Sequence, residues 1–236
     1  MTRLRAMLAQ AERPFVMLGG GGWNAQACAD FQAFATANAL PVGCTYRCQD
    51  LFDNRHPNYV GDIAVGLNPA LERRIREADL LLAVGPRLGE WTTVNYTLID
   101  IPRPKQKFIH VHTGAEELGR VYQADLLINS GMPEFAAAAR ALAPVRAPWA
   151  EATLAARADY EPWQKPVATP GALNMIEVIA FLRERLPPDT IITNGAGNFA
   201  VWAHRFYQFG QYGTQLGPTS GSMGYGVPSA VAAKIL

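Results

Sequence analysis

The chain has no apolar run near the roughly 20 residues a helix needs to cross a bilayer. Its first residues, MTRLRAMLAQAERP, lack the apolar core of a secretion signal. These absences predict a cytoplasmic protein with no membrane partner. Charge of one sign is equally scarce, because 21 Lys and Arg stand against 20 Asp and Glu and leave a net charge of +1. That balance offers no field to attract nucleic acid. Cysteine is limited to Cys28, Cys44 and Cys48, an odd count that argues against a disulfide framework in a chain without a secretion signal. Cys44 and Cys48 have no second pair and no nearby histidine, so they suit neither zinc nor a redox motif and read as small buried hydrophobes. Internal repeats and low-complexity tracts are also missing.

What is present suits one or two ordinary cores: 236 residues, 49% hydrophobic and 17% charged. Pro14–Leu18 reads as a strand, Gly19-Gly20-Gly21-Gly22 as its turn, Trp23–Leu40 as an amphipathic helix and Pro41–Thr45 as a second strand. Leu71–Ala78 is helical in pattern, and the continuous apolar run Asp79–Gly85 reads as a buried parallel strand with its turn. Lys107–His112 and Ala124–Ile128 add two strands, and Glu134–Leu142 an alanine-rich helix. Alternation of this kind predicts a doubly wound α/β domain over 1–143. Five prolines between Pro144 and Pro170 predict a partly extended connection over 144–170. Thr169-Pro170 then reads as the start of a helix with a buried stripe of Met175, Ile176, Ile179, Leu182 and Leu186, stopped by Pro187-Pro188.

Gly20-Gly21-Gly22-Trp23-Asn24-Ala25 fits a loose dinucleotide-binding pattern, but the acidic residue expected after the second strand is replaced by Tyr46-Arg47. A classical NAD site is therefore the weaker reading. His110 and His112 share a strand face without a third ligand in view, which favours ordinary histidines over a metal site. His56 and His204 carry no motif.

The most informative stretch begins at Ile191. Ile191-Ile192-Thr193 reads as a strand end, Asn194-Gly195-Ala196-Gly197-Asn198 as a turn and Phe199–Tyr207 as a helix. Glycine before a helix N-terminus leaves backbone N–H groups open to an anion, a candidate phosphate seat. A second turn, Thr219-Ser220-Gly221-Ser222-Met223-Gly224-Tyr225-Gly226, leads through Pro228 into another small-residue helix. Proline in a first helical turn forfeits no helical bond.

The order strand, Gly-Asn turn, helix bearing a Trp, then Gly-Ser-Met-Gly-Tyr-Gly-x-Pro closely resembles thiamine-diphosphate-dependent enzymes of the acetolactate synthase and benzoylformate decarboxylase superfamily. The resemblance implies that Met223 wedges between the two cofactor rings while its carbonyl and Gly221 meet the aminopyrimidine. It likewise implies that Ala196, Gly197, Asn198 and Phe199 lie at the diphosphate, with Phe199 contributing only its N–H. It places 1–143 as the central domain and 171–236 as the incomplete beginning of an α/β thiamine-diphosphate-binding domain. In flavin-containing members the central domain holds FAD, and Gly19, Gly20, Gly21 and Arg87 match that site. Other flavin positions differ: Gly66-Leu67-Asn68-Pro69, Gly89-Glu90-Trp91, His112 and Thr113 stand where the family has other residues. FAD, an ADP-like ligand and an empty cleft all remain open.

The implied activity is addition of a thiamine ylid to a 2-keto acid, decarboxylation, and transfer or release of the acyl unit. Carboligase and decarboxylase stay undivided, and a non-catalytic adenine-nucleotide module is the alternative. The family's glutamate-bearing domain and its Gly-Asp-Gly magnesium motif are not in the sequence, so no catalytic or metal residue is assigned. The chain is expected to be an inactive fragment of a dimeric or tetrameric parent that uses thiamine diphosphate and Mg²⁺.

Overall fold

A computed structural model describes residues 1–235. Its centre is a six-stranded, all-parallel sheet in the order β3-β2-β1-β4-β5-β6, formed by Pro14–Leu18 (β1), Val42–Thr45 (β2), Tyr59–Ile63 (β3), Leu80–Val84 (β4), Lys107–His112 (β5) and Leu126–Asn129 (β6). Leu18 sits between Cys44 and Val84 in register, so the chain reverses its winding direction between β1 and β4. Every residue of β1, β2 and β4 is buried, as expected for strands covered on both faces. The doubly wound expectation therefore holds.

One face of the sheet packs against the helices Thr2–Gln10 (α1), Ala25–Ala37 (α2) and Met132–Arg140 (α4), through Leu4, Leu8, Phe31, Phe34 and Phe135. The other carries Phe15, Met17, Leu81 and Phe108 against Leu71 and Ile75 of Pro69–Glu77 (α3). Asn24 caps α2 by accepting from the Ala27 N–H at 2.8 Å, which starts the helix two residues later than its apolar pattern suggested. All three cysteines are free and buried.

The proline-bearing connection, expected to be partly extended, carries a helix at its middle: Ala150–Trp163 forms α5, a 14-residue helix with Pro162 in its last turn, where little of the helical ladder is forfeited. It is pinned to the sheet layer by Trp149, whose indole N–H donates to Asn38 O at 3.0 Å, and by Arg157, which donates to the carbonyls of Asn54 at 2.8 Å and Tyr59 at 3.1 Å. The next helix starts not at Thr169-Pro170 but at Met175. Asn174 caps Met175–Arg185 (α6) by accepting from the Ile176 N–H at 3.0 Å. Of its apolar stripe only Ile176 is fully buried, while Met175, Ile179, Leu182 and Leu186 are partly covered.

Beyond α6 the chain forms Ile192–Thr193 (β7), Ala200–Phe206 (α7), Gln215–Leu216 (β8) and Gly226–Ile235 (α8), with β7 and β8 paired in parallel. No described residue of α8 is buried.

Candidate functional site

A cleft of about 540 Å³ opens at the carboxyl ends of β1, β2 and β4, where the winding reverses. Open α/β sheets bind ligands at such a reversal. Gly20, Gly21, Arg47, Pro86 and Arg87 form one wall, while Gly213, Leu216, Thr219, Ser220 and Tyr225 close it from the C-terminal segment. Gly19 and Gly20 are required by packing: a β-carbon on Gly19 would overlap Thr45 Oγ1, and one on Gly20 the Gly85 carbonyl. Gly21 has nothing within 4 Å of its β-position and is open to a ligand. Arg87 is largely exposed and lies 3.7 Å from Glu117.

The loop after β2 joins the two walls. Arg47 adopts φ 58°, uncommon for a side-chain-bearing residue. Its Nη1 donates to Pro218 O and its Nη2 to Gly195 O at 3.2 Å, so a single side chain grips the first C-terminal turn and the residue just ahead of the second. The Gln49 N–H donates to Gln215 Oε1 at 2.8 Å. Asp50 Oδ2 accepts from the Gly213 N–H at 2.9 Å and the Gln215 N–H at 3.3 Å. Asn54 and Phe209 exchange bonds, Asn54 N–H to Phe209 O at 2.8 Å and Phe209 N–H to Asn54 Oδ1 at 3.0 Å. These polar residues are buried. Sequence reasoning missed them, since polar residues between strands read as a solvated loop. The available signal was Arg47 itself, standing just past the second strand of a doubly wound sheet.

Burial and the nearby Arg47 charge pull His204 down to about 4, so it is neutral across the physiological range. Burial raises Asp50 above its ordinary value despite its backbone donors. It also pushes Cys48 up to about 11, which excludes a thiolate nucleophile at neutral pH. Tyr46 stacks on the half-exposed Trp91 at 5.5 Å, and the Arg47 guanidinium lies 4.6 Å from the Tyr46 ring.

The two C-terminal turns meet back to back. A β-carbon on Gly226 would lie 2.9 Å from Gly195 N, and Thr193 Oγ1 donates to Gly226 O at 3.2 Å. In the first turn Gly197, Asn198 and Phe199 are exposed. The N–H groups of Ala200, Val201 and Trp202 bond back to the carbonyls of Gly197, Asn198 and Phe199 at 3.1–3.2 Å. In the second turn Gly221 has φ 74° and open space around it. Met223 is 90% exposed. It lines a further cleft of about 740 Å³ with Ile191, Leu216, Ser229, Ala232 and Ala233, continuous with the first through Gly213, Leu216 and Tyr225. Among the described residues no group of three His, Cys, Asp or Glu could hold a metal ion, and no helix is long and apolar enough to cross a membrane.

Residues 1–139, more than half of the chain, match the family model for the thiamine pyrophosphate enzyme, central domain. The chain is 28% identical to the acetolactate synthase large subunit of Parasynechococcus marenigrum (strain WH8102), over 97% of this chain and 37% of that protein. It is 26% identical to the acetolactate synthase isozyme 2 large subunit of Escherichia coli (strain K12), over 98% of this chain and 41% of that protein. It is also 26% identical to the sulfoacetaldehyde acetyltransferase of Alcaligenes xylosoxydans xylosoxydans, over 97% of this chain and 43% of that protein. The chain thus spans about two-fifths of the length of these curated relatives. With its parallel sheet, reversal-point cleft and matching central segment, the chain belongs to the thiamine pyrophosphate enzyme family.

Proposed function

We propose that the chain supplies the central domain (1–143), a connection (144–170) and the start of the cofactor-binding domain (171–236) of a cytoplasmic, dimeric or tetrameric enzyme acting on 2-keto acids. The cofactor is thiamine diphosphate, with Ala196, Gly197, Asn198 and Phe199 at its diphosphate and Gly221 and Met223 at its aminopyrimidine. The observation that carries this reading is Met223. A large apolar side chain left almost wholly in solvent, above a cleft floored by small residues, has the room and the lack of partners that a wedge between two rings requires. These residues fit thiamine diphosphate, which when bound supplies the electron sink for cleaving the bond beside a keto group. They do not fit Mg²⁺, because no ligand cluster lies among the described residues. Gly20, Gly21 and Arg87 line the central cleft and Gly19 shapes its strand turn, which suits FAD or ADP there.

Similarity to acetolactate synthases supports carboligation, and similarity to a sulfoacetaldehyde acetyltransferase supports acyl transfer to another acceptor. The test is thiamine-diphosphate-dependent consumption of pyruvate and related 2-keto acids by the protein made from its whole gene, followed as released CO₂ and as joined product. Cofactor-dependent turnover is expected, and its absence for every 2-keto acid overturns the reading. The 236-residue chain alone is expected to turn over none and to show no micromolar heat of binding with thiamine diphosphate and Mg²⁺.

A further inference from the structure

We propose that Arg47 is a positioning residue: without touching a ligand itself, it sets the register of the two C-terminal turns against each other. Its effect on thiamine diphosphate rests on the reading above, whereas the register does not need that reading.

The turns are tied at two places apart from Arg47. At their root β7 pairs with β8, Ile192 beside Gln215 and Thr193 beside Leu216, and the Asn194 N–H donates to Leu216 O at 2.9 Å. At the far end of the second turn Thr193 Oγ1 donates to Gly226 O at 3.2 Å. Between these places Arg47 enters from the loop after β2 and takes one carbonyl from each side, Pro218 O through Nη1 and Gly195 O through Nη2 at 3.2 Å. Gly217 makes room for it, since a β-carbon there would lie 2.9 Å from Arg47 Cδ.

The chemistry of the grip favours register over stability. Arg47 is 6% exposed, and among the described residues no acidic oxygen lies within 4.0 Å of its guanidinium, while its buried Nε has no partner. A guanidinium keeps its charge at neutral pH. Burying that charge on neutral partners is a poor source of stability, and the best-attested use of such a group is to fix register. The side-chain type fits that use, because a planar fork holds two acceptors at a set spacing and an ammonium does not. The fork also starts from a constrained place: Arg47 has φ 58°, and its guanidinium lies 4.6 Å from the Tyr46 ring, which stacks on Trp91. In the reading above, one cofactor molecule spans Ala196–Phe199 and Gly221–Met223, so the spacing of the turns must match its length. A misplacement of about 1 Å at such a site can cost about 100-fold.

The test uses the protein made from its whole gene, with Arg47→Gln, Arg47→Lys and Gly217→Ala beside it. Asn54→Ala is the control, since it loosens the same segment at Phe209, away from the turns. Amide hydrogen exchange is read over residues 194–199 and 217–225, and the thiamine diphosphate Kd by calorimetry with Mg²⁺ present. Arg47→Gln is expected to speed exchange in both turns together and to weaken the Kd about tenfold or more, the scale of one lost charge-assisted bond. Arg47→Lys, which keeps the charge but not the fork, should recover part of both effects. Gly217→Ala, which displaces the intact guanidinium, should reproduce them. If Arg47→Gln does not fold, these two variants carry the test. Exchange that rises in one turn only, or in neither, overturns the proposal. So does a rise no greater than that of Asn54→Ala, or a Kd at the parent value while melting temperature falls, since Arg47 would then be a fastening only. If the parent protein binds no thiamine diphosphate, the cofactor reading fails by itself, and linked exchange of the two turns still decides the register.

Discussion

Gly20 and Gly85 pass each other backbone to backbone at the cleft: a β-carbon on Gly20 would overlap the Gly85 carbonyl, and one on Gly85 the carbonyl of Gly19. Both hold positive φ, 74° and 85°. Gly20→Ala therefore adds a clash to a backbone strain, and should cost about 2–4 kcal/mol. Urea unfolding checks this, and a loss below about 0.5 kcal/mol, the scale of a neutral surface change, contradicts it.

Met223 is exposed, so its truncation should leave the fold intact while damaging cofactor use. Met223→Ala is expected to keep its melting temperature and to lose about tenfold or more in thiamine-diphosphate-dependent turnover of the whole enzyme, the scale of one lost positioning contact. Unchanged turnover would show that the side chain holds no cofactor.

The reciprocal pair between Asn54 and Phe209 fastens the C-terminal segment to the sheet unit. Asn54→Ala leaves the Phe209 N–H unpaired in a buried place, at a cost of about 1–3 kcal/mol. Limited proteolysis should then cut near Phe209 to Tyr212 faster than in the parent chain. Equal cleavage rates would mean that the pair is not a fastening point.

A buried group and a partly buried one act on stability with opposite signs. His204 is lowered to about 4 by burial and Arg47, so its contribution is full above its ordinary 6.5 and is lost as pH falls towards 4. Asp62 is raised to about 7 by burial, only partly opposed by its own backbone N–H and Arg205, so its contribution is full below 3.8 and is lost as pH rises towards 7. The native protein should show a shallow profile between these limits, and single variants should uncover each slope. Asp62→Asn should gain about 1–3 kcal/mol at pH 8 and nothing near pH 4. Thermal melts of both proteins across that range decide it, and a gain that grows towards acid pH would reverse the assignment.

Pro14–Leu18 was legible residue for residue, because a strand buried on both faces is an unbroken apolar run bounded by turn residues, and Lys107–His112 was legible through Phe108, Ile109 and Val111 despite its histidines. Tyr59–Ile63 was not, since Gly61 and Asp62 break its apolar pattern and pairing with β2 overrides that weakness. The helix α5 was obscured by its flanking prolines, although Pro162 lies where a helix tolerates it. Within the site the glycine turns announced themselves by spacing. The gripping loop did not: Arg47 bonds to residues 148 and 171 positions away, and Gln49 to one 166 away. No local pattern encodes a partner at that distance.

That same separation fixes an order of assembly. The loop after β2 has no shape to offer Gly195 or Pro218 until β1, β2 and β4 have paired, and closing a loop of that length is entropically unfavourable until its contacts repay it. The residues from Met175 onward are therefore expected to dock on a sheet already formed, and refolding followed by time-resolved proteolysis should protect Phe209 to Tyr212 after β1 and β4, simultaneous protection counting against this order.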